Sequence, residues 1–303
     1  MHLSERVAGC ILGGAIGDAW GSGYENLPKQ VDERTTFYLV PPPVRRPRWQ
    51  LTDDTQLTLL TLEALCQEPV LSPARLATCL VEAYTRGQLT GLGASTVHAL
   101  RGLQVGGHWS QVGRGGEYGA GNGAAMRSAP FAFWPQLDRT QLRDFCRLTH
   151  HHEEAYVGAL ALVLAIRAVL TGQWTGAESL FALLVPQLPD TRVRDRLLAI
   201  QALPGPPTIA EVARLGTSGY VVDSVPFALF CASQAPHLGV TPMLAAIMRA
   251  GGDTDTTASL AGQVVGTLRG PAQLPPALLR QLTQVPGYAE VLRVVRLAQA
   301  RLA

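Results

Sequence analysis

Apolar residues recur at three- and four-residue intervals almost wherever they cluster in this chain, and that period restricts the fold more than any other feature. LTLLTLEALC (57–66), ARLATCLVEAYTRG (74–87), EAYVGALALVLAIRAVLTG (154–172) and VDSVPFALFCAS (222–233) carry it, each rich in Leu and Ala. MLAAIMRA, SLAGQVVGTL and YAEVLRVVRLAQARLA continue it toward the C-terminal end. Helix ends are legible as well: Ser72-Pro73 opens one helix, Gly87 follows it, and Thr171-Gly172 closes another. Strand-like alternation is confined to TFYLV (36–40), and PPPVRRPRW and LPGPPT read as surface loops. There is no fixed-period repeat and no low-complexity linker. The pattern predicts an all-α fold, a compact orthogonal helical bundle forming a single domain over residues 1–303.

Several function classes are excluded by composition. A net charge of +2 and 6% aromatic residues do not make a nucleic-acid surface. The five cysteines (Cys10, Cys66, Cys79, Cys146, Cys231) are widely spaced, with no CxxC or Cys/His zinc spacing, and read as buried free thiols. The first residues lack the basic start and continuous apolar run of a signal peptide. VGALALVLAIRAVL is shorter than the roughly 18 residues a membrane span needs, and it contains Arg167. The expectation is a soluble, cytoplasmic monomer with no nucleic-acid or membrane partner.

Five motifs carry polar chemistry. GCILGGAIGDAWGSGYE packs Gly9, Gly13, Gly14, Gly17, Gly21 and Gly23 around Asp18 and ends at Glu25. Glycine at that density lowers helix propensity and lets another backbone approach closely, which predicts a tightly packed central helix. Asp18 and Glu25 sit in apolar, glycine-rich surroundings where a solvated surface charge is not expected. LTDDTQLTLLTLEAL (51–65) places Thr52, Asp53 and Asp54 at a helix start, where capping and the helix dipole favour them. GGDTDTTASL (251–260) does the same with Asp253, Asp255 and Thr256. Arg249 is the last cation before that pair of aspartates and Arg269 the next, so no local charge neutralises them.

Either acidic cluster alone is explained by capping. Brought together, they offer four carboxylates and several hydroxyls without sulfur, a donor set suited to Mg²⁺, Mn²⁺ or Ca²⁺, and two divalent ions would balance the charge. A Gly-rich loop, GRGGEYGAGNGAAMRSAP (113–130), can cradle phosphate with backbone N–H groups. It lacks the Gly-Lys-Ser/Thr ending of a P-loop. THHHEEA (149–155) cannot aim three consecutive histidines at one site, so one at most reaches it.

Taken together, GDAWGSGYE, TDDTQ, GAGNGAAMR, the TH segment and GGDTDTTAS resemble the ADP-ribosylglycohydrolase family, over about Gly9 to Gly266. The resemblance implies a compact all-α bundle of the ADP-ribosylglycohydrolase type with a binuclear Mg²⁺ centre, Mn²⁺ being an alternative ion. It implies metal ligation by Thr52, Asp53 and Asp54 from one cluster and by Asp253, Asp255 and Thr256 from the other. Gly121, Asn122 and Gly123 match the loop that receives the diphosphate and nearby ribose of ADP-ribose, and His150 borders the same cleft. Glu25 matches a glutamate that gates or assists the reaction, and Asp18 a supporting acid.

The implied reaction is hydrolysis of an ADP-ribosyl bond by water attack at C1″. Its substrates are proteins modified on serine (O-linked) or arginine (N-linked), or small ADP-ribose conjugates. Asp255 is assigned the proton from water and Glu25 the leaving group or the gate, two roles that can be exchanged. Leu51, where many bacterial relatives carry an aromatic residue, and the run His151-His152-Glu153-Glu154 depart from the family pattern and bear on leaving-group recognition. Two other classes compete: an inactive ADP-ribose-binding or crystallin-like member of the same fold, and a plain helical protein whose acids are all caps.

Overall fold

Helix α1 (Leu3–Gly21) is buried from Val7 through Ala19, as an apolar and glycine-rich helix with no polar face must be. The structure is a computed structural model that describes residues 1–25, 48–68 and 70–303. TFYLV and most of PPPVRRPRW lie outside the described residues. Among those described, the fold is all-α with no strand, the class that the helical period predicts.

Three further helices complete the buried centre. These are α6 (Glu153–Leu170), α10 (Val221–Leu238) and α12 (Thr254–Arg269). α12 packs on α1, α6 and α10, and α6 also packs on α10. Around them lie α2 (Asp53–Gln67), α3 (Pro73–Thr85), α4 (Ala94–Gln104), α5 (Arg139–Arg147), α7 (Leu180–Leu184), α8 (Arg192–Gln201), α9 (Ile209–Ala213), α11 (Val240–Ala250), α13 (Pro276–Leu282) and α14 (Tyr288–Arg301). α14 closes the bundle against α1 and α2 through Val291, Val294, Val295 and Ala298. No helix among the described residues is long and apolar enough to cross a membrane. All five cysteines are free, four of them buried, and burial pushes the Cys10 thiol up to about 12.

The apolar period at 57–66 and the acidic start at 52–54 belong to one helix, which begins at Asp53 as the sequence indicates. It starts with Thr52 as N-cap, whose hydroxyl accepts from the Asp54 N–H. Ser72 caps α3 ahead of Pro73, and Gly87 follows α3 with positive φ, as the sequence indicates. α8 was not legible from its own residues. Its N-cap Thr191 makes no side-chain cap, and the Arg192 and Val193 N–H groups instead donate to the Glu154 carboxylate of α6 at 2.9 and 3.0 Å.

The contact that orders the bundle is α1 against α12. Gly9, Gly13, Gly17 and Gly21 form one stripe on α1, four residues apart. A Cβ on Gly9 would overlap the Gly266 carbonyl, one on Gly13 the Gly262 carbonyl, and one on Gly17 the Ala258 carbonyl. The fit is mutual, since a Cβ on Gly262 or Gly266 would strike the carbonyl of Gly13 or Gly9. The pairing runs antiparallel and ends where a Cβ on Gly21 would lie 2.5 Å from the Asp255 Cα. It sets the C-terminal end of α1 on the N-terminal end of α12.

In an exposed helix, Gly→Ala would stabilise by about 1 kcal/mol through propensity. In this interface the sign reverses, because the obstacle is backbone. Gly17→Ala is expected to destabilise by about 2 kcal/mol or more, the scale of overpacking a close-packed core. Urea unfolding measures it, and a stabilised Gly17→Ala variant would contradict the packing described.

Candidate active site and metal centre

Asp18 occupies the last turns of α1, fully buried, and its carboxylate accepts hydrogen bonds from four donors at the start of α2. The Thr52 hydroxyl donates to Oδ1 at 2.7 Å and the Thr52 N–H to Oδ2 at 3.0 Å. The Thr55 N–H and hydroxyl donate to Oδ2 at 3.2 and 2.5 Å. Asp18 is thus an N-terminal cap for α2 supplied from another helix, and it fixes the direction in which Asp53 and Asp54 leave the backbone. Burial pushes the Asp18 carboxyl up to about 6, against the lowering effect of the bonds from Thr55 and Thr52.

Asp54 is buried at 2% exposure, and its two oxygens differ. Oδ2 accepts from the Thr256 hydroxyl at 3.0 Å, joining α2 to α12, whereas Oδ1 is buried without a hydrogen-bond partner. Burial, then the charges of Asp255, Asp18, Asp53 and Asp253, hold the Asp54 carboxyl well above the ordinary carboxylate range. Asp255 is pushed up to about 9 by burial first and next by the Asp253 charge, with Glu25 and Asp18 adding to it. Asp53 is pushed up to about 7, chiefly by burial, although the Gly93 N–H donates to it at 3.4 Å. Asp253 is the half-buried N-cap of α12, and its Oδ2 accepts from the Asn122 side-chain amide at 2.7 Å.

Asp18, Asp54 and Asp255 each place one carboxylate oxygen within 4.8 Å of the others. Among the described residues, none of the ion pairs includes Asp18, Asp53, Asp54, Asp253 or Asp255. Like charges this close repel strongly unless they are protonated or bound to cations. The orphaned Asp54 Oδ1 and the all-oxygen surroundings fit hard divalent ions.

Above the acids opens a cavity of about 380 Å³. Every site residue expected from the sequence lines it: Glu25, Thr52, Asp53, Asp54, Gly121, Asn122, Gly123, His150, Asp253, Asp255 and Thr256. Glu25 is exposed, on the turn that follows α1. Asn122 is not simply a loop residue over a phosphate. Its amide bridges Asp253 and the Ser224 hydroxyl (3.1 Å), so the Gly-rich loop also steadies the acidic cluster. His150 packs against the glycines flanking it: a Cβ on Gly123 would lie 2.7 Å from Cε1 of that ring and force it to move, and one on Gly121 would make a tight contact of 3.3 Å with Nε2. Burial first, then the charge of Arg127, push His150 down to about 3, so the ring is neutral. Of the neighbouring histidines, His151 is exposed and His152 caps α6 by accepting from the Glu154 N–H.

Three lining groups were missed in the sequence. Gly91 to Thr96 brings the N-terminal end of α4 to the cavity, where backbone N–H groups and the helix dipole favour an anion. Gly93 serves as its N-cap without a side-chain cap, so no Ser, Thr or Asp marks that start. Arg114 and Tyr118 stand at the rim, with the guanidinium carbon 4.9 Å from the ring centroid.

The family described as ADP-ribosylglycohydrolase matches residues 1–303. The chain is 29% identical over 293 residues to "ADP-ribosylarginine hydrolase Tri1" of Pseudomonas putida (strain GB-1), covering 90% of this chain and 72% of that one. It is 24% identical over 325 residues to "ADP-ribosylhydrolase ARH3" of Gallus gallus, covering 90% and 87%. A solved structure described as "ADP-ribosylglycohydrolase-related protein complex" superposes with a TM-score of 0.74 at 28% identity, covering 99% of each chain.

The carboxyl shifts carry a pH signature. Asp18, Asp53 and Asp255 hold their protons more tightly folded than unfolded, rising from 3.8 to about 6, 7 and 9. Their stabilising contribution is therefore complete below the ordinary carboxylate value and is lost as pH rises through those folded values. In EDTA, the melting temperature is expected to fall from about pH 4 to about pH 9. A bound Mg²⁺ would compete with protons for these oxygens, so its stabilising effect is expected to grow over that range. At one hundred times its Kd it contributes about 2.7 kcal/mol. Thermal scans with and without Mg²⁺ decide the matter; no Mg²⁺ effect at any pH would refute the metal centre.

Proposed function

The chain belongs to the ADP-ribosylglycohydrolase family, and we propose that it is a Mg²⁺-dependent hydrolase that removes ADP-ribose from modified side chains or small conjugates. The observation that carries this reading is the buried, unpartnered Asp54 Oδ1, set among the oxygens of Asp18 and Asp255 at the floor of a cavity walled by glycines. Thr52, Asp53, Asp54, Asp253, Asp255 and Thr256 are the residues that would hold two Mg²⁺ ions, or Mn²⁺ in their place. When bound, such ions supply Lewis acidity and an anchor for ribose hydroxyls.

The protein's own groups do the rest. The Gly121–Gly123 loop and the N-terminal end of α4 receive the diphosphate through backbone N–H groups. Asn122 keeps Asp253 in place through its side-chain amide. Asp255 accepts the proton of the water that attacks C1″, while positive charge develops toward the ribose ring oxygen as in other glycoside hydrolyses. Glu25, exposed beside Asp255, serves the leaving group or gates its exit. The leaving group is an arginine or serine side chain, or the acyl portion of a small conjugate. The arginine reading is supported by the Tri1 relative, whose printed name specifies that linkage.

Release of ADP-ribose from arginine-, serine- and O-acetyl-linked substrates, each with Mg²⁺ and with EDTA, tests the proposal. At least one linkage should be cleaved with Mg²⁺ and spared with EDTA. Failure to cleave any of them would leave an inactive member of the fold.

Two substitutions separate the roles. Asp255→Asn keeps the shape but removes a charge, and should lower both Mg²⁺ affinity and turnover. Glu25→Gln should leave Mg²⁺ affinity near wild type while kcat falls by about 10²-fold or more if Glu25 transfers a proton. If excess Mg²⁺ restores full activity to Glu25→Gln, Glu25 is a ligand and the division of roles is wrong.

A further inference from the structure

One buried cation has no part in the mechanism above. Arg127 closes the GNGAAMR motif at 1% exposure, and among the described residues none of the ion pairs includes it. Its Nη2 donates to the Phe145 carbonyl at 2.9 Å and to the Thr149 hydroxyl at 3.0 Å, while Nε is buried without a partner. Burying a guanidinium without a carboxylate is costly, and an apolar side chain of similar size would fill the space at lower cost.

The consequence of that cation is found one residue beyond Thr149. Thr149 Oγ1 lies 2.8 Å from His150 Nδ1. A hydroxyl has one hydrogen and two lone pairs, and a guanidinium can only donate, so Arg127 occupies a lone pair. If Nδ1–H filled the other lone pair, the hydroxyl hydrogen would need a second acceptor in this buried pocket. No described hydrogen bond from Thr149 Oγ1 supplies one. The hydroxyl hydrogen therefore goes to Nδ1, and the hydrogen of the neutral ring sits on Nε2. Nε2 in turn lies 3.3 and 3.2 Å from where Cβ atoms on Gly121 and Gly123 would stand, in the wall of the cavity.

We infer that Arg127 and Thr149 are positioning residues that lock His150 in its Nε2–H tautomer, so that the cavity is offered a neutral hydrogen-bond donor between Gly121 and Gly123. His150 is then neither a base nor a cation toward the ligand, and it suits an acceptor oxygen of ADP-ribose. The ligand half of this inference rests on the proposed function, whereas the tautomer half rests on the hydrogen bonds alone.

Two measurements keep those halves apart. Imidazole ¹⁵N resonances of the ¹⁵N-histidine-labelled wild type, with His150 assigned by its loss in His150→Gln, should show a protonated Nε2 and a bare Nδ1. A protonated Nδ1 overturns the relay. Titration calorimetry of ADP-ribose in Mg²⁺ should then show Thr149→Val, which has the shape without the hydroxyl, binding about 10- to 100-fold more weakly, the scale of a hydrogen bond to a charged group. Thr149→Ser should restore both affinity and tautomer. Equal affinity in Thr149→Val and wild type overturns the positioning role. Should Thr149→Val fail to fold, the wild-type tautomer and a Thr149→Ser variant of wild-type affinity still decide for the relay, and an altered tautomer in that variant decides against it. A wild type that shows the Nε2–H tautomer but ignores ADP-ribose supports the relay and overturns the ligand, and with it the proposed function.

Discussion

The close approach of α1 and α12 is the constraint from which the candidate site follows. With Gly9, Gly13 and Gly17 against the carbonyls of Gly266, Gly262 and Ala258, the two backbones pack without side chains between them. The register of that contact carries Gly21 to the Asp255 backbone, and so puts Asp18 and Asp255 within reach of one another. A wider interface, with ordinary side chains in the stripe, would separate the acids. Asp18 then draws in α2 by capping it, and the Thr256 hydroxyl on Asp54 closes the triangle of α1, α2 and α12.

That geometry brings several carboxylates together in a buried place, which costs free energy. Part of the cost is offset by the protein itself. The N-terminal ends of α2, α4 and α12 converge on the cavity, and their dipoles and N–H groups favour negative charge there. Direct bonds help: Gly93 N–H to Asp53, Asn122 to Asp253, and the Thr256 N–H to Asp255 Oδ1 at 2.9 Å. These groups do not reach Asp54 Oδ1, and the carboxyls of Asp18, Asp53, Asp54 and Asp255 remain raised in proton affinity. A divalent cation would supply what the fold leaves out, and the same convergence of helix ends that tolerates the acids also suits a diphosphate.

The sequence made much of this legible because the oxygen donors come in contiguous runs. Thr52–Asp54 and Asp253–Thr256 each concentrate several donors on one helix start, so proximity within each run needed no knowledge of the fold. The density of glycine in α1 likewise announced a close approach, though not its partner. What stayed hidden depends on contacts between distant segments. Asn122 and Asp253 are 131 residues apart, and nothing local links a glycine-loop amide to an acid on another helix. Asp18 as the cap of α2 and Glu154 as the cap of α8 are of the same kind, since a cap borrowed from another helix leaves no mark beside the helix it serves. The N-terminal end of α4 escaped notice because Gly93 begins it in place of a side-chain cap.

The claim that these carboxylates form a metal centre is tested most directly by diffraction from crystals grown with Mn²⁺, read from the anomalous signal. The account predicts two peaks among Asp53, Asp54, Asp253 and Asp255, with Asp54 Oδ1 in contact with one of them, and their loss in crystals of Asp54→Asn. Crystals that bind Mn²⁺ elsewhere on the protein, yet show no peak at these carboxylates, would contradict it.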